Sequence, residues 1–304
     1  MKWTLATVTA VLLAASPAIA APAPVVVVED AVNTTVAERE NSGAGKRIVL
    51  WEWTNTRDID SVGNLRTSAG KLSSSKEIKN IMNWETWRPT ELPTGLYYQP
   101  MVRTKAQTSG DAWNNLLSAI NSQPNKNQKP IVHFYNEPEY NGISAQDAAN
   151  TWKSLMLPLR SSKGVELVGP AISSSPEGVA WLKSFMGYLS SSEKPNYVGA
   201  HFYTNKDSGV DGEISAAKNH LSGLISSYGL PLIVSEIAST SRNYNDVYKF
   251  TTTMSDWLDG QSKVKMYGFF GVSRQPVNDF VSPQAQLLDT SGSWTALGKY
   301  LGGF

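Results

Sequence analysis

Short apolar runs alternate with longer amphipathic stretches along most of the chain, from residue 48 to the C-terminus. The apolar runs are mostly continuous, which is typical of parallel strands that are covered on both faces. Eight runs are candidate strands: residues 48–53, 78–84, 96–102, 130–135, 165–169, 197–203, 231–234 and 264–272. This repeated alternation of strand and helix predicts an α/β fold, a single (β/α)8 TIM barrel over residues 48–304.

Apolar residues at helical spacing fall between most of these candidate strands. The clearest predicted helices span residues 144–160, 178–189, 214–228, 244–258 and 294–301. Ser144, with Asp147 three residues later, is typical of a helix N-terminus. Gly229, followed closely by Pro231, predicts a helix end. Residues 58–72 show only a weak helical period.

The first 47 residues differ from the rest of the chain. Residues 1–20 carry Lys2, an apolar stretch and Ala18-x-Ala20, in the order expected of a secretory signal peptide. A buried N-terminal helix is the alternative. Residues 21–47 have no sustained period and predict a propeptide or disordered linker, which contains the glycosylation sequon at Asn33. The pair Lys46-Arg47 is either a protease processing site or a solvent-facing flank of the first strand. We expect a secreted protein, extracellular or in the cell wall.

Composition narrows the class of protein. Lys and Arg total 27 and Asp and Glu total 26, so the formal net charge is +1. This balance argues against a nucleic-acid partner, which needs a concentrated basic face. After the leader, no apolar run reaches the length of about 18 residues that a membrane span requires. The chain has no cysteine and three scattered histidines, so we expect no disulfide, no thiol chemistry and no metal site. No phosphate-binding glycine motif is present, and we expect no cofactor and a monomer.

Two acidic residues follow well-formed candidate strands. Glu137 follows the fourth run within Asn136-Glu137-Pro138, and Glu236 follows the seventh. The C-terminal strand ends carry the chemistry in such barrels, and strands four and seven lie nearly opposite each other across the mouth. Paired carboxylates are what glycoside hydrolysis needs: one protonates the departing oxygen and the other attacks the anomeric carbon. A lone Glu could be a loop carboxylate or an ion-pair partner, but this pair favours catalysis. Glu139, two residues beyond Glu137, is expected to be structural or to lie at the rim of the site.

Further polar and aromatic residues lie near the same strand ends. Asn136 is expected to hydrogen-bond a sugar 2-hydroxyl, or else to serve as a turn residue. His201 and Tyr203 are expected to point into the mouth, where Tyr203 could hold a nucleophilic carboxylate ionised; either could instead be a core residue. Aromatic rings suit the flat apolar faces of sugars. The candidate platforms are Trp51, Trp53, Trp84, Tyr98 and Phe270.

Several segments resemble the clan of retaining glycosidases called GH-A, and more closely the fungal glycosyl hydrolases of glycoside hydrolase family 128. The resemblance covers nearly all of residues 46–304. The matching segments are Lys46-Arg47 before a Trp-bearing strand, Asn136-Glu137-Pro138, 144–149 with Trp152 and Pro158-Leu159, 168–171, Ala200-His201-Phe202-Tyr203 and Val234-Ser235-Glu236. The resemblance implies a (β/α)8 barrel acting on β-1,3-glucan, with Glu137 as general acid/base and Glu236 as nucleophile. Trp84-Glu85 and Ile237-Ala238 replace the family's usual Trp-Gly and Phe-Gly, which bears on substrate subsites.

We therefore predict a secreted retaining endo-β-1,3-glucanase that works by double displacement, with a polysaccharide partner and no metal or organic cofactor. The pKa values of the two acids should be split, with that of the acid/base raised. Two alternatives stay open at this point. One is the same chemistry on another β-glycan, and the other is a non-catalytic cell-wall protein that binds glycans on an inactive barrel.

Overall fold

The computed structural model describes residues 45–125, 127–205 and 208–304. The predicted signal peptide, and the predicted propeptide or linker up to residue 44, lie outside the described residues. Within the described part, no helix combines the length and the apolar character needed to cross a membrane.

All eight candidate strands form, and the third one is split in two. The strands are β1 Arg47–Leu50, β2 Ile78–Met82, β3 Tyr97–Tyr98, β4 Met101–Val102, β5 Ile131–Asn136, β6 Glu166–Ala171, β7 Val198–Tyr203, β8 Leu232–Ala238 and β9 Val264–Phe269. The split falls at Gln99-Pro100, where proline offers no backbone N–H to a ladder. The chain pairs with β2 before this point and with β5 after it.

Every strand pair in the described residues is parallel. One sheet has six strands in the order β3-β2-β1-β9-β8-β7, and the other has three in the order β4-β5-β6. Isolated parallel bridges join Val168 to Tyr197 and Ile172 to Ala200, so β6 also lies beside β7. The fold is therefore α/β with a mostly parallel central sheet, as the continuous apolar runs predicted.

The helices follow the strands in turn. They are α1 Trp53–Arg57, α2 Leu65–Lys71, α3 Gly110–Asn121, α4 Ala145–Thr151, α5 Leu157–Lys163, α6 Pro176–Gly187, α7 Gly209–Tyr228, α8 Tyr244–Gly260 and α9 Ala296–Gly302. A π-helical stretch, Trp152–Met156, joins α4 to α5, and short 3-10 turns occur at Leu72–Ser74, Lys105–Thr108, Ser191–Glu193 and Pro283–Ala285. The predicted helix ends are confirmed at two positions: Ser144 accepts a hydrogen bond from the Asp147 N–H, and Gly229 ends α7 with a φ of 67°. Helix α3 was not predicted.

The core lies on both faces of the strands, in alternation along each one. Val49 and Trp51 belong to the large cluster that packs against the helices, whereas Ile48 and Leu50 belong to a smaller cluster on the other face. Trp84 belongs to the smaller cluster, and Phe270 packs against it. Side chains on this second face therefore form a cluster of their own, which Trp84 and Phe270 extend toward the C-terminal ends of the strands.

Arg47 is part of the folded body. Strand β1 begins at this residue, and its side chain is buried. The guanidinium donates to the Tyr267 hydroxyl at 2.9 Å and to the Leu301 carbonyl at 2.8 Å, and it pairs with Asp259 at 2.8 Å. The expectation of a solvent-facing Arg47 is therefore wrong, because a guanidinium can enter the interior when its donors find partners.

Candidate active site

Glu137 stands directly after β5, in a left-handed backbone conformation with a φ of 41°. This region is uncommon for a residue other than glycine and costs of order 1–3 kcal/mol. The turn is held by its neighbours: the Glu137 N–H donates to the Ala171 carbonyl at 2.8 Å, and the Asn141 amide donates to the carbonyls of Asn136 and Glu137. The conformation that aims this carboxylate is thus imposed by the loop and by strand β6.

Glu236 lies inside β8 rather than after it, because the strand continues to Ala238. The residue is 7% exposed, and its carboxylate accepts two hydrogen bonds. The Tyr203 hydroxyl donates to Oε2 at 2.6 Å, and the Trp84 indole N–H donates to Oε1 at 2.7 Å. Trp84 also has a positive φ, of 58°, so a second uncommon backbone conformation serves this site.

His201 lies between the two carboxylates and is fully buried. Its Nδ1 is 3.0 Å from Oε1 of Glu137, and its Nε2 is 3.1 Å from the Ser235 hydroxyl and 3.5 Å from Oε1 of Glu236. One ring nitrogen of His201 and one oxygen from each carboxylate lie within 4.8 Å of one another. Because His201 and Glu236 pair directly across β7 and β8, the register of two strands brings these groups together.

The pKa directions follow from this arrangement. Burial by itself lowers the pKa of His201, but the facing carboxylates of Glu236 and Glu137 outweigh it and raise that pKa. Burial raises the pKa of Glu137, yet the hydrogen bond and charge of His201 outweigh it, so that pKa is lowered. Burial raises the pKa of Glu236, opposed only in part by His201, Tyr203 and Trp84. These directions contradict the split expected from the sequence, in which the pKa of Glu137 was raised, because that expectation left out the charge of His201.

The same three side chains form a potential ligand set for a metal ion within the described residues. Both ring nitrogens of His201 and both oxygens of Glu236 already have hydrogen-bond partners inside the protein. Such a network orients the groups and holds protons at defined atoms. The chemistry that this donor set supports most directly is proton transfer beside a carboxylate nucleophile.

A cavity of about 740 Å³ opens above the carboxylate pair, within the usual range for ligand sites. It is lined by residues of the loops that follow β5, β6, β7 and β9, together with Glu137 and Glu236 themselves. Tyr203, Phe270 and Phe280 form an aromatic wall, with Tyr203 edge-on to Phe270 at 5.9 Å and to Phe280 at 5.3 Å.

The structure brings some of the predicted site residues together and leaves others apart. His201, Tyr203, Trp84 and Phe270 surround the carboxylate pair, and Asn136 immediately precedes Glu137 with a buried side-chain oxygen. Trp53 is 48% exposed on α1, where the Arg57 guanidinium covers its ring, and it does not line the cavity.

Trp51 and Tyr98 do not fit the expectation of ligand contact. Both lie in the cluster that packs against the helices, with exposed fractions of 0% and 1%. Trp51 donates its indole N–H to Glu91, and the Tyr98 hydroxyl contacts Asn83 and two backbone carbonyls. Their strand positions place them on the helix-facing side.

Sequence reasoning did not find Ser235, Tyr140 or Phe280 as site residues. Ser235 directly precedes Glu236, and that adjacency was the available signal. Tyr140 and Phe280 lie in loops that carry no periodic pattern, so nothing in the sequence distinguishes them from surface aromatics.

Residues 57–301 match the family model described as the glycosyl hydrolase catalytic core. The crystal structure of a subgroup VI exo-β-1,3-glucanase of glycoside hydrolase family 128 from Aureobasidium namibiae shares 35% identity, with a TM-score of 0.73, and the match covers 86% of this chain and 96% of that one.

Two more distant structures share the fold. A subgroup IV endo-β-1,3-glucanase from Lentinula edodes has 22% identity and a TM-score of 0.66, covering 86% of this chain and 99% of that one. A subgroup VII oligosaccharide-binding protein from Cryptococcus neoformans has 18% identity and a TM-score of 0.60, covering 86% and 93%. No curated protein matches the chain in sequence.

Proposed function

The chain belongs to glycoside hydrolase family 128 and is a glycoside hydrolase, and from this premise we propose that it cleaves β-1,3-glucan with retention of configuration. The observation that carries the proposal is the approach of the Glu137 and Glu236 carboxylates to within 4.8 Å at the floor of one cavity. Carboxyl groups about 5–5.5 Å apart suit a covalent glycosyl-enzyme, whereas inverting enzymes need a wider gap for water.

In the first step, a Glu236 oxygen attacks the anomeric carbon while the bond to the glycosidic oxygen breaks. Glu137 donates its proton to that oxygen, and the leaving sugar departs as an alcohol. In the second step, Glu137 takes a proton from water, and the water oxygen displaces Glu236 from the anomeric carbon. Two observations support these roles: two donors hold the Glu236 carboxylate in place for attack, and the side chain of Glu137 is 24% exposed, which leaves it open to water in the second step.

We also propose that the strands close into the (β/α)8 barrel expected from the sequence. The bridges Val168 to Tyr197 and Ile172 to Ala200 support closure on one side, between β6 and β7. On the other side, β3 and β4 are separated by only two residues, so one extended segment joins the two sheets. Closure would put Glu137 and Glu236 on opposite sides of one mouth.

The mode of attack along the glucan chain stays a prediction. The sequence resemblance favours endo action, whereas the relative from Aureobasidium namibiae with 35% identity is an exo-β-1,3-glucanase. Product analysis on laminarin separates the two modes, because exo cleavage releases a single small product from the first turnovers, whereas endo cleavage releases oligosaccharides of several lengths. Parallel digests of mixed-linkage glucan, mannan and xylan test the alternative of another β-glycan.

Secretion stays a proposal that rests on the predicted leader, and N-terminal sequencing of the secreted protein tests it.

Turnover by Glu137→Ala and Glu236→Ala, with azide rescue, tests the assignment of roles. We expect both variants to lose nearly all activity on laminarin. With a β-glucosyl substrate that carries an activated leaving group, azide should yield an inverted glycosyl azide with Glu236→Ala and a retained one with Glu137→Ala. Glu139→Ala is the matched control, since this carboxylate lies two residues beyond Glu137. Glucan binding by the wild type without release of reducing sugar would overturn the enzymatic proposal in favour of a binding protein.

A further inference from the structure

Two large aromatic side chains are exposed to solvent inside the cavity. Phe280 is 53% exposed and Tyr140 is 62% exposed, and both line the same cavity as Glu137 and Glu236. A single exposed aromatic residue needs no explanation, because much of any protein surface is apolar. Two exposed rings in the cavity that holds the carboxylate pair are a different observation, because they offer apolar faces where a ligand must lie.

Phe280 stands on the side of Glu236. Its ring centroid is 5.3 Å from that of Tyr203, whose hydroxyl binds Glu236. The loop is held in place, because the Asn278 side-chain oxygen accepts from the backbone N–H groups of Phe280 and Val281 at 3.0 and 3.1 Å. The ring is therefore presented at a defined position, which reduces the entropic cost of binding.

Tyr140 stands on the side of Glu137. Its backbone N–H donates to the Glu137 carbonyl at 3.0 Å, so the same short turn carries both residues. Its hydroxyl accepts from the Ser173 hydroxyl at 3.2 Å, which ties the ring to the loop after β6. The two exposed rings thus approach the cavity from the loops after β5 and β9, each beside a different carboxylate.

We propose that Phe280 and Tyr140 are the stacking platforms for the two glucosyl units on either side of the bond that is cleaved. This inference rests on the proposed function. The unit attacked by Glu236 stacks on Phe280, and the unit whose oxygen Glu137 protonates stacks on Tyr140. A β-linked glucosyl ring carries its axial C–H groups on two flat faces, which pack against aromatic rings as apolar surfaces do.

The test compares two substrates that differ only in the leaving group. Laminaritriose presents a glucosyl leaving unit to Tyr140, whereas β-laminaribiosyl fluoride presents only fluoride. We expect Phe280→Ala to lower kcat/KM about fivefold on both substrates, on the scale of one aromatic contact. We expect Tyr140→Ala to lower it by a similar factor on laminaritriose and by a clearly smaller factor on the fluoride, which has no leaving sugar to stack on Tyr140. Phe280→Trp should keep near-wild-type values, because the platform is retained.

Tyr188→Ala is the matched control, because Tyr188 is 47% exposed and does not line the cavity. If Phe280→Ala and Tyr140→Ala behave like Tyr188→Ala on both substrates while the wild type is active, the platform assignment is overturned and the proposed function stands. An equal loss on fluoride and trisaccharide with Tyr140→Ala would also overturn the assignment of sides. A wild type inactive on both substrates would instead overturn the proposed function. Thermal unfolding of each variant identifies any loss that comes from folding.

Discussion

Replacing Tyr203 by Phe removes one hydrogen bond from Glu236 and little else. The Tyr203 hydroxyl donates to Oε2 of Glu236 at 2.6 Å. Its ring contacts Phe270 and Phe280 edge-on, and a phenylalanine ring can keep both contacts. The pKa of Tyr203 is raised well above its ordinary value by burial and by Glu236, so the residue stays protonated and donates. The variant therefore isolates the contribution of one donor to the charge state of the carboxylate.

The magnitude follows from the strength of a hydrogen bond to a charged group, about 1.5–3 kcal/mol. One pKa unit corresponds to about 1.36 kcal/mol, so Tyr203→Phe should raise the pKa of Glu236 by about one to two units. The second donor, Trp84, remains at 2.7 Å and keeps part of the stabilisation. Only the ionised carboxylate can attack, so the acidic limb of the kcat/KM profile should move to higher pH by the same amount.

The assay is the pH dependence of kcat/KM on a soluble β-1,3-oligosaccharide. Tyr197→Phe is a matched control, because the Tyr197 hydroxyl also donates to a carboxylate, Glu166, at 2.5 Å, and neither residue lines the cavity. This control should leave the profile in place. Superimposable acidic limbs for the wild type and Tyr203→Phe would refute the reasoning that Glu236 must be ionised and that Tyr203 keeps it so.

Three further substitutions test other parts of the structure. His201→Gln should move the acidic limb of the kcat/KM profile to higher pH and the basic limb to lower pH, because glutamine can hydrogen-bond Glu137 but cannot hold a proton. A basic limb that stays at its wild-type pH would contradict this. Arg47→Met should lower the free energy of unfolding in urea by about 3–5 kcal/mol, since it leaves Asp259 without its buried partner, whereas Arg66→Met, at an exposed pair, should cost less than about 1 kcal/mol. Glu139→Gln should keep near-wild-type turnover of laminarin, because its contact is with the Ser173 N–H outside the carboxylate pair.

The strands were predictable because burial on both faces leaves a continuous apolar signal, and all eight runs form strands. Each error in the predicted elements has an identifiable physical cause. The seventh run ended at Val234 in the prediction because Ser235 and Glu236 are polar, yet β8 continues to Ala238. These two residues remain in the strand because His201, Tyr203 and Trp84 satisfy them from other elements. Sequence patterns cannot register such long-range partners.

Helix α3 was missed for a related reason. Its sequence, GDAWNNLLSAIN, has three asparagine or aspartate residues in its first half, and these favour turns over helix interiors. The helix nevertheless forms, burying Leu116, Ala119 and Ile120 in the core. Tertiary packing overrides weak local preference here, as it commonly does.

The proposed aromatic platforms could not be chosen from the sequence. When both faces of a strand are buried, the sequence does not show which face packs against the helices and which faces the carboxylate pair. Trp51 and Trp84 were therefore equivalent candidates. In the structure Trp51 packs against the helices and Trp84 binds Glu236. Phe280 lies in a loop without periodicity, and only the folding of that loop over Tyr203 brings it to the site.

Because His201 lies beside Glu137, the proton that catalysis needs can reside on either side chain. A proton on Nδ1 of His201 with both glutamates ionised leaves the three groups with one net negative charge. The same proton on Glu137, with His201 neutral, leaves the same net charge. The two arrangements differ only by transfer along the 3.0 Å hydrogen bond between His201 and Glu137. A lowered pKa of Glu137 in the free enzyme is then compatible with a role as acid, because the proton is stored on His201, one hydrogen bond away.

A sugar that displaces water from Glu137 disfavours the charged form of this carboxylate and draws the proton from His201 to Glu137. On this reasoning the basic limb of the profile reports loss of the shared proton, and His201→Gln should move it to lower pH because the store is gone.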